Sequence, residues 1–152
     1  MVLGLIALLT SLILVNTDSM LKGLGEEPLP DVLKRAVREA RYQAAYHKSV
    51  AYLSFDEEKA AFVISGANGQ PIESLKTGYD PERDSVEVAF FQILPTRGTS
   101  FNFRRIDREK ITAVRFHADR SSVPFEAEIR LDGNLSNHRF DPFSDSEIEV
   151  AP

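Results

Sequence analysis

The stretch PDVLKRAVREARYQAAYHKSVAYLSFDEEKAAFVIS, residues 30–65, decides the fold, because the spacing of its apolar residues changes once along its length. Leu33, Val37, Ala40 and Ala44 recur at intervals of four, three and four, which places them on one face of an α-helix. Pro30 and Asp31 suit the first turn, where a missing N–H is harmless and a carboxylate meets the positive end of the helix dipole. Lys34, Arg35, Arg38 and Arg41 take the other faces and are read as solvated. A narrow stripe of small residues fits close packing on a sheet, so Leu33, Val37, Ala40 and Ala44 are predicted to form the helix–sheet contact. The helix is expected to end near His47 or Lys48.

Beyond Ser49 the period becomes two, with short runs bounded by turn residues. Residues 50–55 and 60–65 flank Asp56-Glu57-Glu58-Lys59 as a hairpin, and Gly66-Ala67-Asn68-Gly69 turns the chain toward an edge strand at 71–77. Residues 86–94 are the longest apolar stretch here, and Phe90-Phe91 lets its centre bury both faces. Strands at 101–106, 111–117 and 125–131 follow. In the last, Phe125, Ala127, Ile129 and Leu131 alternate with Glu126, Glu128 and Arg130, giving one dry and one wet face. Residues 148–150 close the sheet. The pattern predicts an α+β protein with its helix packed on an antiparallel β-sandwich.

On the N-terminal side, LKGLGEEPLP (residues 21–30) holds two glycines and two prolines and is read as a linker. Before it, MVLGLIALLTSLILV (residues 1–15) carries no charge, and Thr10 and Ser11 are its polar side chains. A signal peptide would add a basic start and a small-x-small cleavage site, and a buried helix of a soluble protein would be striped. The run is therefore read as a membrane anchor built on Leu3, Leu5, Ile6, Leu8, Leu9, Leu12, Ile13, Leu14 and Val15. A helix of this length rises about 22 Å, short of a hydrocarbon core of about 30 Å. The expected organisation is an anchor at 1–20, a linker at 21–30, and a helix plus β-rich domain at 31–152.

At 152 residues the chain suits one domain. Its 18 basic and 23 acidic residues leave a net charge of −5, so no nucleic-acid partner is expected. Cysteine is absent, which excludes disulfides, thiolate catalysis and cysteine-ligated metals. His47, His117 and His138 form no metal-binding spacing, no GxSxG elbow supports a serine triad, and no phosphate loop occurs. Ser19-Met20-Leu21-Lys22 and Lys76-Thr77-Gly78 match SxxK and KTG by accident, without the element that belongs between them. Asp141, Asp145, Glu147 and Glu149 are read as solvated acids of the terminal strand rather than a Ca²⁺ site. The reading names no catalytic residue, no metal and no cofactor.

Several segments resemble one family. MVLGLIALLTSLILVN is similar to the second part of the N-terminal helix of pilins. Ala40-Arg41-Tyr42-Gln43-Ala44-Ala45-Tyr46 running into Val50-Ala51-Tyr52-Leu53-Ser54-Phe55-Asp56 is similar to the AR…A…V-x-L-x-F-D transition of H-type (GspH/FimT-like) pseudopilins. Phe116-His117-Ala118-Asp119-Arg120-Ser121-Ser122 resembles that group's F-x-x-D-G-S-S turn, and Asp141-Pro142-Phe143-Ser144-Asp145 its D-P-x-T-G turn. Arg120 and Asp145 stand where the family usually has glycine, so the local turns are expected to differ.

The resemblance implies a pilin-like fold and a structural, non-enzymatic minor pseudopilin or type IV pilin subunit, single-pass in the bacterial inner membrane with its domain on the periplasmic side. The anchor residues would then also carry helix assembly. The implied partners are other pilin or pseudopilin subunits, the inner membrane and the secretion or pilus assembly machinery. It further implies a leader and about seven mature residues ahead of Met1, which would lengthen the apolar helix to about 22 residues and let it span. A second class is a membrane-tethered β-domain binding a peptide, sugar or DNA. Its candidate residues are Arg97, Phe101, Phe103, Arg104 and Arg105, although alternation turns Phe101 and Phe103 inward.

Overall fold

The computed structural model describes residues 27–95 and 107–148. Helix α1 spans Leu29–Tyr46 and starts inside the segment read as linker. Pro28 serves as N-cap at φ −53° and ψ 137°, Pro30 occupies the first turn where its missing N–H is not needed, and the Leu29 side chain is drawn into the core. At the other end Lys48 adopts φ 49°, while Lys48 N donates to Ala45 O and Ser49 N to Ala44 O. These two bonds satisfy carbonyls the helix leaves open and reverse the chain into the first strand.

Two antiparallel sheets follow. The first contains β1 (Ala51–Asp56), β2 (Ala61–Gly66), β3 (Pro71–Lys76) and β6 (Val114–Phe116), in the order β3-β2-β1-β6. The second contains β4 (Val86–Ile93), β5 (Arg108–Ile111), β7 (Phe125–Leu131), β8 (Asn134–Phe140) and β9 (Glu147–Ile148), in the order β5-β4-β7-β8-β9. Alternation turns Leu53, Phe62, Ile64, Val114 and Phe116 of one sheet, and Phe90, Phe125, Ala127, Ile129 and Phe140 of the other, into one core with α1. Phe125 stacks on Phe140 at 5.0 Å and meets Phe116 edge-on at 6.1 Å, joining the sheets through aromatic contacts.

Leu33, Val37, Ala40 and Ala44 are buried, and α1 packs on β1, β2 and β6 through this face. The buried face is broader than the narrow stripe, because Leu29, Val32, Ala36 and Arg41 share it. The strand expected at 111–117 is two strands in different sheets: β5 ends at Ile111, the chain crosses at Thr112-Ala113, and β6 begins at Val114. Strand β8 was not anticipated. It returns from β7 through the two-residue turn Asp132-Gly133, with φ of 49° and 84°, the left-handed pair a tight hairpin requires. The expected strand at 101–106 and the anchor residues 1–20 lie outside the described residues. Among the described residues no helix is long and apolar enough to cross a membrane.

Candidate functional site

Arg41 is the charged side chain that the helical pattern misplaces. It was read as solvated, yet only 4% of it is exposed. Its spacing from Val37 and to Ala44 puts it in the apolar stripe, and the fold fills its donors. Nη1 donates to Pro142 O at 2.9 Å and to Arg120 O, and Nη2 donates to Asp141 O at 2.7 Å and to Ser122 Oγ at 3.4 Å. Nε lies 3.4 Å from Asp145 Oδ1, an ion pair without hydrogen-bond geometry. The guanidinium also sits 5.3 Å from the centre of the Phe116 ring. Burial pushes the Arg41 pKa down, and the charges of Asp145 and Asp141 oppose that shift.

One side chain thus ties α1 to the turn after β6 and to the turn between β8 and β9. The turn after β6 is closed by His117 N to Ser121 O at 2.8 Å and by Asp119 Oδ1, which accepts from Ser121 N and Ser121 Oγ. Those bonds from Ser121 hold the exposed Asp119 carboxyl below its usual range. Arg120 adopts φ 69° here, the left-handed conformation that glycine favours. Arginine thus holds here a backbone shape that glycine adopts without cost. Asp145 shows no positive φ and instead pairs with Arg38 and Arg41.

Beside this clamp is an open cleft of about 680 Å³, lined by Arg38, Arg41, Tyr42, Arg120, Phe143, Ser144, Asp145 and Ser146. Phe143 is 79% exposed and Tyr42 50%. Tyr42 continues into Tyr46, with ring centres 5.8 Å apart, along the outer face of α1.

Two of the four terminal acids, Asp145 and Glu147, are ion-paired rather than simply solvated, Asp141 accepts from Phe143 N at 2.7 Å, and Glu149 lies outside the described residues. Asp145 takes Arg38 and Arg41, and Glu147 takes Lys34 at 3.1 Å and His138 Nδ1 at 2.8 Å. Among the described residues no group of three or more His, Cys, Asp or Glu could hold a metal ion. Burial raises the Glu147 pKa, but the hydrogen bonds and charges of His138 and Lys34 outweigh it, and the net shift is downward.

His138 Nε2 is also 3.0 Å from Ser136 Oγ, so Ser136, His138 and Glu147 form a row in the order of a serine triad. Sequence spacing found nothing to tie these groups together. The missed signal is that Ser136 and His138 are two apart on a strand and so share a face. Lys34 alters the chemistry of this row. Its ammonium occupies the second Glu147 oxygen at 3.1 Å, so the carboxylate is shared between α1 and the ring rather than committed to the ring as in a triad. The row fastens β8 and β9 to α1.

Glu126, expected on the wet face of 125–131, is only 7% exposed. Arg108 at 2.6 Å and Arg139 at 3.2 Å neutralise it, and Arg108 lies 4.4 Å over the Phe91 ring. Thr77, from the accidental KTG match, is buried and donates to Ala60 O at 2.7 Å, a structural role. His47 is exposed beside Tyr46, and His117 serves the turn through its backbone. Residues Arg97, Phe101, Phe103, Arg104 and Arg105 lie outside the described residues. No protein-family model, curated protein or solved structure matches the chain.

Proposed function

We propose that this chain is a minor pseudopilin or type IV pilin subunit of the H-type, a structural component that enters a helical filament through its apolar N-terminal run. The observation that carries the reading is the convergence of three separate segments on Arg41. The Ala40-Arg41 helix segment, the Phe116–Ser122 turn and the Asp141–Asp145 turn each resemble that family on their own, and Arg41 hydrogen-bonds both turns. Arg120 gives further support, since its left-handed backbone is the shape expected at a position the family usually fills with glycine.

In this reading Leu3, Leu5, Ile6, Leu8, Leu9, Leu12, Ile13, Leu14 and Val15 hold the subunit in the inner membrane before assembly and bury again against neighbouring helices afterwards. An apolar helix leaves a bilayer only when comparable burial awaits it. The pilin-like domain then lies outside the helical core, with no catalytic step of its own. The chain has no cysteine, so single cysteines at Leu5, Leu9 or Leu12 report contacts without background. They should crosslink to the helix of a major pilin or pseudopilin made in the same cell. A membrane-tethered β-domain that binds a peptide, sugar or DNA alone gives no such product, and that outcome refutes the filament reading.

A further inference from the structure

The hairpin that opens β8 reads Asp132-Gly133-Asn134-Leu135-Ser136. An asparagine followed by any residue except proline and then by serine or threonine is the acceptor pattern for N-linked glycosylation. The transferring enzyme grips the hydroxyl two residues beyond the asparagine it modifies. Bacterial enzymes of this class also read an acidic side chain two residues before it, and Asp132 stands there. Exposure by itself does not single out Asn134. Asn68 and Asn137 are exposed too, but Gln70 and Arg139 stand where the hydroxyl is needed.

The fold presents the whole pattern on one surface. Side chains two apart on a strand share a face, and Asn134 and Ser136 line, together with Asp132, an open cleft of about 340 Å³. Residues 132–137 are all exposed. Strand β9 pairs with Arg139 and Phe140, beyond the pattern, so among the described residues Asn134, Leu135 and Ser136 have β7 as their one strand neighbour. An extended segment at the tip of a hairpin, with one edge free, enters an enzyme's peptide groove at the loss of few ladder bonds. The facing wall of the cleft is Pro28, Leu29 and Pro30, where α1 begins. Val15, the last residue of the apolar run, precedes Pro28 by 13 residues, a span of at most about 45 Å. With that run in the inner membrane, the pattern stands near the bilayer, where a lipid-carried sugar donor is found.

We infer that Asn134 is a site of N-linked glycosylation, with Ser136 and Asp132 as the residues the enzyme recognises. The donor is an oligosaccharide carried on a polyprenyl diphosphate. In the transfer Asn134 Nδ2 forms a bond to the anomeric carbon of the donor and gives up one proton. The bond from that carbon to the diphosphate oxygen breaks, and the diphosphate leaves with the electron pair. Nothing is oxidised or reduced. The inference rests on the filament reading for the periplasmic placement of the domain, and adds to it a modification of the subunit.

The test uses the full-length chain, extracted in detergent from its own cells and digested with trypsin, which cuts after Arg130 and Arg139 and leaves Asn134 within residues 131–139. Mass spectrometry should find this peptide carrying an oligosaccharide, and fragmentation should place it on Asn134 rather than Asn137. Asn134→Gln should lose the added mass completely. Asp132→Asn should lose it as well, since asparagine tolerates φ 49° but brings no charge. Ser136→Ala should be unmodified, whereas Ser136→Thr keeps a hydroxyl and should stay modified. Circular dichroism of each variant checks that the domain is folded. A bare Asn134 in the native chain, or added mass that survives Asn134→Gln, Asp132→Asn or Ser136→Ala, overturns the inference. Helix crosslinks at Leu9 separate the two failures: if they form while Asn134 is bare, the filament reading stands and only this site is wrong. A modified Asn134 without those crosslinks keeps the site and removes the filament.

Discussion

Replacing Arg41 by methionine keeps most of the aliphatic stem over Phe116 and removes every donor. Arg120 O and Asp141 O then lose the bonds from Arg41, Pro142 O keeps Ser122 N at 2.8 Å, Ser122 Oγ loses one partner, and Asp145 keeps Arg38 alone. A buried acceptor left without its donor costs about 1–3 kcal/mol, and removing one partner of a buried ion pair about 3–5 kcal/mol. Water entering from the open cleft recovers part of this, and the methionine no longer requires a buried charge. The net loss expected for Arg41→Met is about 3 kcal/mol. Arg41→Lys should lose less, because an ammonium supplies three donors but cannot span two turns as a planar guanidinium does. Arg38→Ala is the control: its side chain is 70% exposed, and its loss should stay within about 0.5 kcal/mol. The chain lacks tryptophan, so urea unfolding is followed by circular dichroism and tyrosine fluorescence. With a slope of about 1–3 kcal/mol per molar urea, the Arg41→Met midpoint should fall by about 1–2 M. An Arg41→Met midpoint indistinguishable from that of Arg38→Ala would refute the clamp.

Ala40 is fully buried between α1 and the sheets, so Ala40→Leu should overpack the interface and lower stability by about 1–3 kcal/mol in the same urea assay; an unchanged midpoint would mean the helix can shift freely there. The folded Glu147 pKa lies below its unfolded value, so the stability from this group is complete above the ordinary carboxylate range and is lost as pH falls through the folded value. Glu147→Gln should therefore lower stability near neutral pH and flatten the acid side of the stability–pH profile, and parallel profiles would contradict the latch with Lys34 and His138. The Ser136 row should leave a fluorophosphonate probe unreacted, because Lys34 takes one of the two Glu147 oxygens and the carboxylate is not committed to the ring; labelling that disappears in Ser136→Ala would return this chain to the hydrolases.

Local patterning carried much of the fold. The helix expected over 30–48 is Leu29–Tyr46, and β1, β2, β3, β4 and β7 lie within one residue of the runs read from period two. These elements bury one face against a large neighbour, so apolar spacing alone records their geometry. Strand β8 escaped because Asn134, Ser136 and His138, on the same face as the buried Phe140, are polar and leave no apolar alternation, although Asp132-Gly133 was a local hairpin signal that went unused. The run at 111–117 looked continuous because its residues favour strand throughout, and nothing in their order marks a change of sheet.

What the sequence determined by itself was the class of the described segments: a helix with one small-residue face and a series of short strands. Only the tertiary structure decided that Arg41 is buried. Its acceptors lie 79 to 101 residues away, and its charge is tolerated inside the protein only because those carbonyls arrive together. The same holds for Glu126 between Arg108 and Arg139, and for Glu147 between Lys34 and His138. A side chain's periodicity sets which way it points, whereas the partners that make burial affordable for a charge come from distant segments and are known only once the chain has folded.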